Sequence, residues 1–369
     1  MDHTFLATAA FGLEGVAANE LKRMDIPARA ENGGARFEGS LLDAYRAALC
    51  LRTADRVLLV LAEEKVTSFE DLFQLVSRIA WEKFLTRDAS IHVSGKCVRS
   101  QLMSVRDCQA ISKKAIVQRL MQKLRVNRLP ETGTVYPIDV AIVGNVARIT
   151  LDLCGDALNR RGYRTWNGEA PLRETLAAAL VDLCPWRRGM QLYDPCCGTG
   201  TLLIESAIKA VGRPAGIRRH FACEQYAFMP REEMKRLRAE LEASYDEQGD
   251  FTIGGSDISP EALDLCKKHI RQAGFEGRIR VSRQDLRTLN VPGEPGVFLI
   301  NPPYGERLSD QKGARELYRE IGLLMKRHPG WKLGVITADA AFERSFGKRA
   351  DKKRRLYNGR LECEFYMYF

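Results

Sequence analysis

The sequence predicts an α/β protein: a mostly parallel sheet in its C-terminal half, preceded by an α+β region made of two smaller units. Three observations predict it. From residue 171 onward short apolar runs alternate with helical patterns, as a parallel sheet with crossover helices requires. Before that, the order strand, helix, strand, strand, helix, strand fits a ferredoxin-like unit. The chain closes on "LYNGRLECEFYMYF", where Asn358-Gly359 between two apolar-aromatic runs is a hairpin signal.

In the first unit, residues 4–10 read as a strand and 13–24 as an amphipathic helix. "ENGGARFEG" carries hairpin chemistry, because Asn32-Gly33-Gly34 can take positive φ. Residues 40–51 are helical in pattern and "RVLLVLAE" is a strand. In the second unit, "SFEDLFQLVSRIAWEKFL" reads as one helix capped by Ser68 and "SIHVSGKCV" as a strand. A long helix starts at Ser104, and "YPIDVAIV" and "NVARITLDL" form a hairpin across Gly144. "LNRRGYRTWNGEAP" reads as a connector. These readings divide the chain at 1–64, 65–158 and 159–369.

In the last part, "QLYD" leads into "PCCGTGTLLIESAIKAVG", and "FTIGGSD" into "ISPEALDLCKKHIRQAG". That second helix has clear ends: Ser259 as cap, Pro260 in the first turn, Gly274 just past the end. "RIRVSRQD" is a third strand, "VFLIN" a fourth, and "KLGVIT" a fifth after a helix over 313–327.

The 369 residues carry a net charge of +10, which suits a polyanionic partner or simply a solvated basic surface. Part of it gathers at Lys96, Arg99, Arg106, Lys113, Lys114 and Arg119. No apolar run approaches the ~20 residues of a membrane span, and "MDHTFLATAAFGLEG" lacks the basic flank of a secretory signal. Ten scattered cysteines include no C-x-x-C and do not cluster with the five histidines, so no structural metal is expected. The expected setting is a reducing cytoplasm.

Three acids stand where strands end: Asp194, Asp257 and Asp285. Ligands of parallel α/β sheets bind outside the carboxyl ends of the strands. Taken singly, each is more often a helix cap or a loop residue; the ordered set is far more specific. Gly198 and Gly200 let backbone approach a ligand at a helix start. Asp257 can accept two ribose hydroxyls, and Asp285 is placed for an adenine amine. "DPCCGTG" is neither a P-loop nor G-x-G-x-x-G, so a nucleoside without a pyrophosphate fits better. The fourth strand then delivers Asn301 to the same edge, followed by Pro302, Pro303 and Tyr304. The Asn301 side-chain carbonyl and the Pro302 carbonyl can accept hydrogen bonds from a planar amine, the prolines hold φ near −65°, and Tyr304 offers a stacking face. A Pro-rich strand-to-helix turn is the plainer alternative for that stretch alone.

"DPCCGTG", Asp257, Asp285 and "NPPYGER" together resemble the class I S-adenosylmethionine-dependent methyltransferases that modify exocyclic amines. "GKCVRSQLMSVRDCQAISKKAIVQRL" and "LNRRGYR…APLRETLAAAL" resemble, more narrowly, the bacterial THUMP-domain RNA methyltransferases, whose relatives methylate guanine N2 in large-subunit ribosomal RNA. The resemblance covers essentially the whole chain. It implies a Rossmann-like methyltransferase domain with a seven-stranded sheet and an antiparallel C-terminal hairpin, behind a ferredoxin-like plus THUMP region. It implies S-adenosyl-L-methionine as cofactor and RNA as partner, and the basic cluster of Lys96, Arg99, Arg106, Lys113 and Lys114 is where the charge pattern places that RNA. It assigns Asp194, Gly198 and Gly200 to the methionine end, with Pro195, Cys196 and Thr199 in the same loop. It assigns Asp257 with Ile258 to the ribose and Asp285 with Leu286 to the adenine. Asn301, which also borders the cofactor, Pro302 and Tyr304 fall to the target amine. The family often has one Cys in a "DPxCGSGT" loop; here Cys-Cys and Thr199 stand instead. Transfer RNA guanine N2, RNA adenine N6, glutamine of a protein, and a non-catalytic assembly factor are the alternative readings. Methyl transfer needs no covalent intermediate here, since prolines stand where a cysteine nucleophile would follow the fourth strand.

Overall fold

The computed structural model describes residues 2–164, 172–303 and 308–369. Its first part runs β1 (His3–Thr8), α1 (Glu14–Arg23), β2 (Ala28–Glu31), β3 (Gly34–Gly39), α2 (Leu41–Cys50) and β4 (Arg56–Lys65), the expected order. Gly33 takes φ +89° between β2 and β3, and Ser40 with Asp43 forms a capping box at α2. There follow α3 (Phe69–Arg78), β5 (Ser90–Val98), α4 (Val105–Leu124), β6 (Val135–Val143) and β7 (Val146–Asp152). The single helix expected over 68–85 is two pieces, α3 and a 3-10 turn at Trp81–Lys83. Ile79 is extended between them. The break lets the fully buried Trp81 enter the core, its indole N–H donating to the Val76 carbonyl at 2.8 Å.

The two N-terminal units share one seven-stranded sheet, ordered β2-β3-β1-β4-β7-β6-β5. The joint is the antiparallel pairing of β4 with β7, from Leu58↔Asp152 to Lys65↔Val146, with an irregularity between Val60 and Ala62. Their side chains form one core, from Phe5 and Phe37 to Tyr136 and Ile149.

The second part runs α5 (Glu174–Leu183), β8 (Leu192–Asp194), α6 (Thr201–Ala210), α7 (Arg231–Ser244), β9 (Ile253–Asp257), α8 (Pro260–Ala273), β10 (Arg280–Arg283), β11 (Val297–Ile300), α9 (Leu308–Arg327), β12 (Lys332–Thr337), α10 (Phe342–Phe346), β13 (Lys352–Asn358) and β14 (Leu361–Tyr368). Its sheet is ordered β10-β9-β8-β11-β12-β14-β13, parallel except for the antiparallel β14. All four residues of β11 are fully buried, as a central parallel strand demands. The hairpin loop is Gly359-Arg360, since Asn358 pairs with Leu361; it sits one residue later than the Asn-Gly signal suggests. The strand order reverses between β8 and β11, so the ligand-binding crevice belongs at their carboxyl ends.

The halves are locked together. Residues after α6 return to the N-terminal core: Tyr226 stacks on Tyr136 at 4.5 Å, and Met234 and Leu237 of α7 join the same cluster. Across the joint, Arg52 meets Asp182 at 3.1 Å. The described part of the connector, residues 158–164, is a clamp as well. Arg161 lies 3.4 Å from the fully buried Glu205 and donates to the Leu158 carbonyl at 2.6 Å. Tyr163 donates its hydroxyl to the same Glu205 at 3.0 Å.

Candidate active site

β8 ends in Asp194, and the chain turns through Pro195–Gly200 into α6. Two glycines make that turn possible. Gly200 has φ +85°, and a Cβ there would stand 2.6 Å from the Cys266 sulfur, so no other residue fits without displacement. Gly198 has φ +51° and faces open space, with nothing within 4 Å of where a Cβ would be. The loop is braced from the next strand. Asp257, at the end of β9, accepts the Gly198 N–H at 2.8 Å with one carboxylate oxygen and the Ser259 N–H at 3.0 Å with the other. The Cys197 N–H donates to the Ser256 carbonyl at 2.9 Å. His269 Nδ1 lies 3.1 Å from the Thr199 carbonyl, which can only accept, so that nitrogen carries the proton.

A cleft of about 440 Å³ opens at this edge, within the size range of small-molecule sites. Asp194, Cys196, Gly198, Thr199 and Asn301 line it together. Asp257 borders it through its bond to Gly198. Asp285 stands beyond the end of β10, 45% exposed, accepting the Arg287 N–H at 2.9 Å; it does not line this cleft. Ile258 is 65% exposed, while Leu286 is buried under the apolar layer of α9. Pro195 and Pro302 are buried and Asn301 is half-buried at the tip of β11. Tyr304 lies outside the described residues.

Burial dominates the electrostatics. Asp194 is 2% exposed, and loss of hydration holds its carboxyl well above the ordinary range, against a stabilising 3.0 Å bond from the Cys196 N–H. The Cys196 thiol is pushed up by burial; that of Cys197 is pushed up first by its contact with Cys266 and then by burial. Both therefore stay protonated at neutral pH and are poor nucleophiles.

Of the sequence-predicted basic residues, Lys96, Arg99, Arg106 and Lys114 are exposed on β5, α4 and the loop between them. Lys113 is partly buried and pairs with Glu131 at 2.8 Å. Arg119 is committed to structure, bridging Glu82 at 2.8 Å and the Ser77 carbonyl at 3.1 Å. Sequence reasoning missed Leu172, Cys197, Thr201, Leu202, Leu265, Ser259, Glu261 and Ala262 as cleft residues. The signal for the last three was present: a capped helix start directly after a strand-end acid points its free N–H groups at the ligand edge. Among the described residues no His, Cys, Asp and Glu group could hold a metal ion, and no helix is long and apolar enough to cross a membrane.

Sheet order, glycine turn, strand-end acids and the Asn301 tip define a Rossmann-like class I methyltransferase domain. Comparison with known proteins gives the family. The family described as RMKL-like, methyltransferase domain, matches residues 161–367. The RlmL ferredoxin-like domain matches 4–58 and the THUMP domain 66–152. The chain belongs to the RMKL-like methyltransferase family. It is 37% identical to the Bacillus subtilis protein named "Putative RNA methyltransferase YpsC", over all of this chain and 96% of that one. It is 34% identical to the "Ribosomal RNA large subunit methyltransferase K/L" of Methylococcus capsulatus, over all of this chain but 51% of the relative. The chain thus spans about half the length of the K/L proteins it matches. Among solved structures, "SMU.472, a putative methyltransferase complexed with SAH" superposes with TM-score 0.95 at 34% identity, covering 100% of this chain and 98% of that one.

Proposed function

We propose that this chain transfers a methyl group from S-adenosylmethionine to the exocyclic N2 amine of a guanosine in large-subunit ribosomal RNA. The observation that carries the reading is the convergence of Asn301 with the Asp194–Gly200 loop on one cleft. The S-adenosylhomocysteine in the SMU.472 complex, the names of the K/L relatives and the THUMP match support the cofactor and the substrate class.

The residues fit that cofactor. Gly198 leaves the cleft floor without a side chain. Asp257 spends one lone pair of each oxygen on backbone N–H groups and keeps acceptor capacity for ribose hydroxyls. Asp194 provides charge for the methionine end, with Pro195, Cys196, Thr199 and Gly200 shaping the loop; Ile258 lies beside Asp257 at the ribose, and Asp285 and Leu286 frame the adenine. When bound, S-adenosylmethionine supplies a methyl group on a positively charged sulfur. Asn301 and the Pro302 carbonyl accept hydrogen bonds from the two amine N–H groups, which favours a pyramidal nitrogen with an exposed lone pair and matters most in the transition state; the proton that the methylated nitrogen gives up passes to water. Tyr304 offers the ring on which the flipped base stacks. On this reading 65–158, behind the ferredoxin-like 1–64, holds RNA through Lys96, Arg99, Arg106, Lys113 and Lys114, and 159–369 carries the chemistry.

The test is methylation of ribosomal RNA from a deletion strain by the purified full chain with labelled cofactor, followed by nucleoside mass spectrometry. Label in N2-methylguanosine at one mapped position is expected. Label in N6-methyladenosine, in transfer RNA alone, or in protein would overturn the assignment.

A further inference from the structure

The outer flank of the methyltransferase sheet carries a charge feature that the cofactor site does not use. Residues 343–355 hold seven cations against two acids, a surplus equal to half the chain's net +10. Both acids are committed. Glu343 binds Lys353 at 3.0 Å and the Ala350 N–H at 2.7 Å, and Asp351 accepts the Phe369 N–H at 2.7 Å. Three of the other cations are also engaged: Lys353 through Glu343, Arg354 through the Gly12 carbonyl at 2.9 Å, and Arg355 through Glu362 at 3.4 Å. That leaves Arg344, Lys348, Arg349 and Lys352, all exposed and without an ion pair among the described residues.

Three of these four line one cleft, and Lys352 follows them at the start of β13. The cleft, of about 670 Å³, runs along α10, lined by Arg344, Gly347, Lys348 and Arg349 with Ala340, Ala341 and the Lys353-paired Glu343. It starts just past the carboxyl end of β12, the sheet edge at which Asn301 stands one residue beyond the Ile300↔Val335 pair. It ends toward the start of β13, where Tyr368 donates to the Lys348 carbonyl at 3.1 Å. Lys348 Nζ lies 5.8 Å over the Tyr368 ring and Lys352 Nζ 5.8 Å over the Phe369 ring, so both ammonium groups are steered by aromatic faces. Cations on an edge strand also deter edge-to-edge pairing. That need is met by β13 itself. It does not account for Arg344, Lys348 and Arg349, which precede the strand and line a cleft.

We infer that this flank is a second RNA-backbone track, taking the phosphates of the strand that leaves the Asn301 edge, in addition to the surface on β5 and α4. The inference rests on the RNA reading proposed above. Unpaired Arg and Lys side chains along a groove are what a phosphodiester chain neutralises, with release of its counterions.

The test uses the full chain with Arg344, Lys348, Arg349 and Lys352 all changed to Gln, and a fluorescent RNA stem-loop with a single-stranded extension. Binding is measured across a salt series. Loss of four phosphate contacts lowers the slope of log affinity against log salt by roughly 3, at ~0.7–0.9 per contact. Arg344→Lys with Arg349→Lys keeps the charge and should keep the slope. Affinity for S-adenosylmethionine should be the same in both variants, which also shows that they are folded. An unchanged slope in the Gln variant, with salt-dependent binding by the parent chain, overturns the track and leaves the RNA reading standing. If the parent chain shows no salt-dependent RNA binding while it binds the cofactor, the RNA reading falls and the track with it.

Discussion

Asp257 is the residue on which loop geometry and ligand affinity meet, so its substitution is the most informative perturbation. Its two carboxylate oxygens accept the Gly198 and Ser259 N–H groups at 2.8 and 3.0 Å, tying the glycine turn to the start of α8. A hydrogen bond to a charged group contributes about 1.5–3 kcal/mol, and this carboxylate is only half-buried, so the lower end applies. Asp257→Ala should therefore cost ~3 kcal/mol of stability even without ligand. At no more than ~2 °C per kcal/mol for a unit of this size, the melting temperature should fall by ~5 °C. The same change removes the ribose acceptors and should weaken S-adenosylmethionine binding by about 10²-fold, two contacts at ~1.4 kcal/mol per tenfold. Asp257→Asn keeps one acceptor oxygen and should lose ~10-fold, with about half the loss of stability. Isothermal calorimetry and thermal unfolding with and without cofactor measure both effects. An Asp257→Ala protein with the parental melting temperature and the parental Kd would refute the brace and the ribose contact together.

Asn301→Ala should lower single-turnover methyl transfer by about 10²–10³-fold while leaving cofactor affinity nearly unchanged, because the lost acceptor acts on the amine; a near-normal rate would sink the proposed mechanism. Folding raises the pKa of Asp194, so its contribution to stability is fully present below the unfolded value of about 3.9 and is lost as pH rises through the elevated folded value. Cofactor affinity should run the other way, rising with pH as Asp194 ionises to meet the methionine ammonium, and Asp194→Asn should flatten that profile in calorimetry. Arg161→Met takes away the ion pair of the fully buried Glu205, leaving its carboxylate to the Tyr163 hydroxyl, and should cost ~3 kcal/mol in denaturant unfolding, with Glu205→Leu added to it recovering much of the loss.

Local chemistry made much of this legible in the sequence. Asn32-Gly33-Gly34, Gly144-Asn145 and Asn358-Gly359 mark hairpins because few residues tolerate positive φ, and Ser68, Ser104 and Ser259 announce helix starts through their caps. The strand-end acids and Asn301 were legible because a parallel sheet brings all its carboxyl ends to one edge. Long-range pairing was not legible. Nothing in "RVLLVLAE" or "NVARITLDL" says that β4 will take β7 as its neighbour, since neither carries a signal for a particular partner. The break at Ile79 depends on where the Trp81 ring finds a cavity, which is a property of the assembled core. Asp285 illustrates a further limit: its position after β10 follows from the strand pattern, but its distance from the cleft depends on the length of the turn beyond Arg283.

The return of residues 217–237 into the N-terminal core has a practical meaning for anyone who wishes to dissect this protein. A fragment starting at residue 159 would bare Ile217, Phe221, Tyr226, Met229, Met234 and Leu237, all of which belong to the other half's core. Such an apolar patch drives self-association, so an inactive fragment would report its own insolubility and not a missing partner for RNA. The same shared core predicts that the two halves melt together. Stabilisation conferred by cofactor on one half should then raise the unfolding temperature reported by probes in the other.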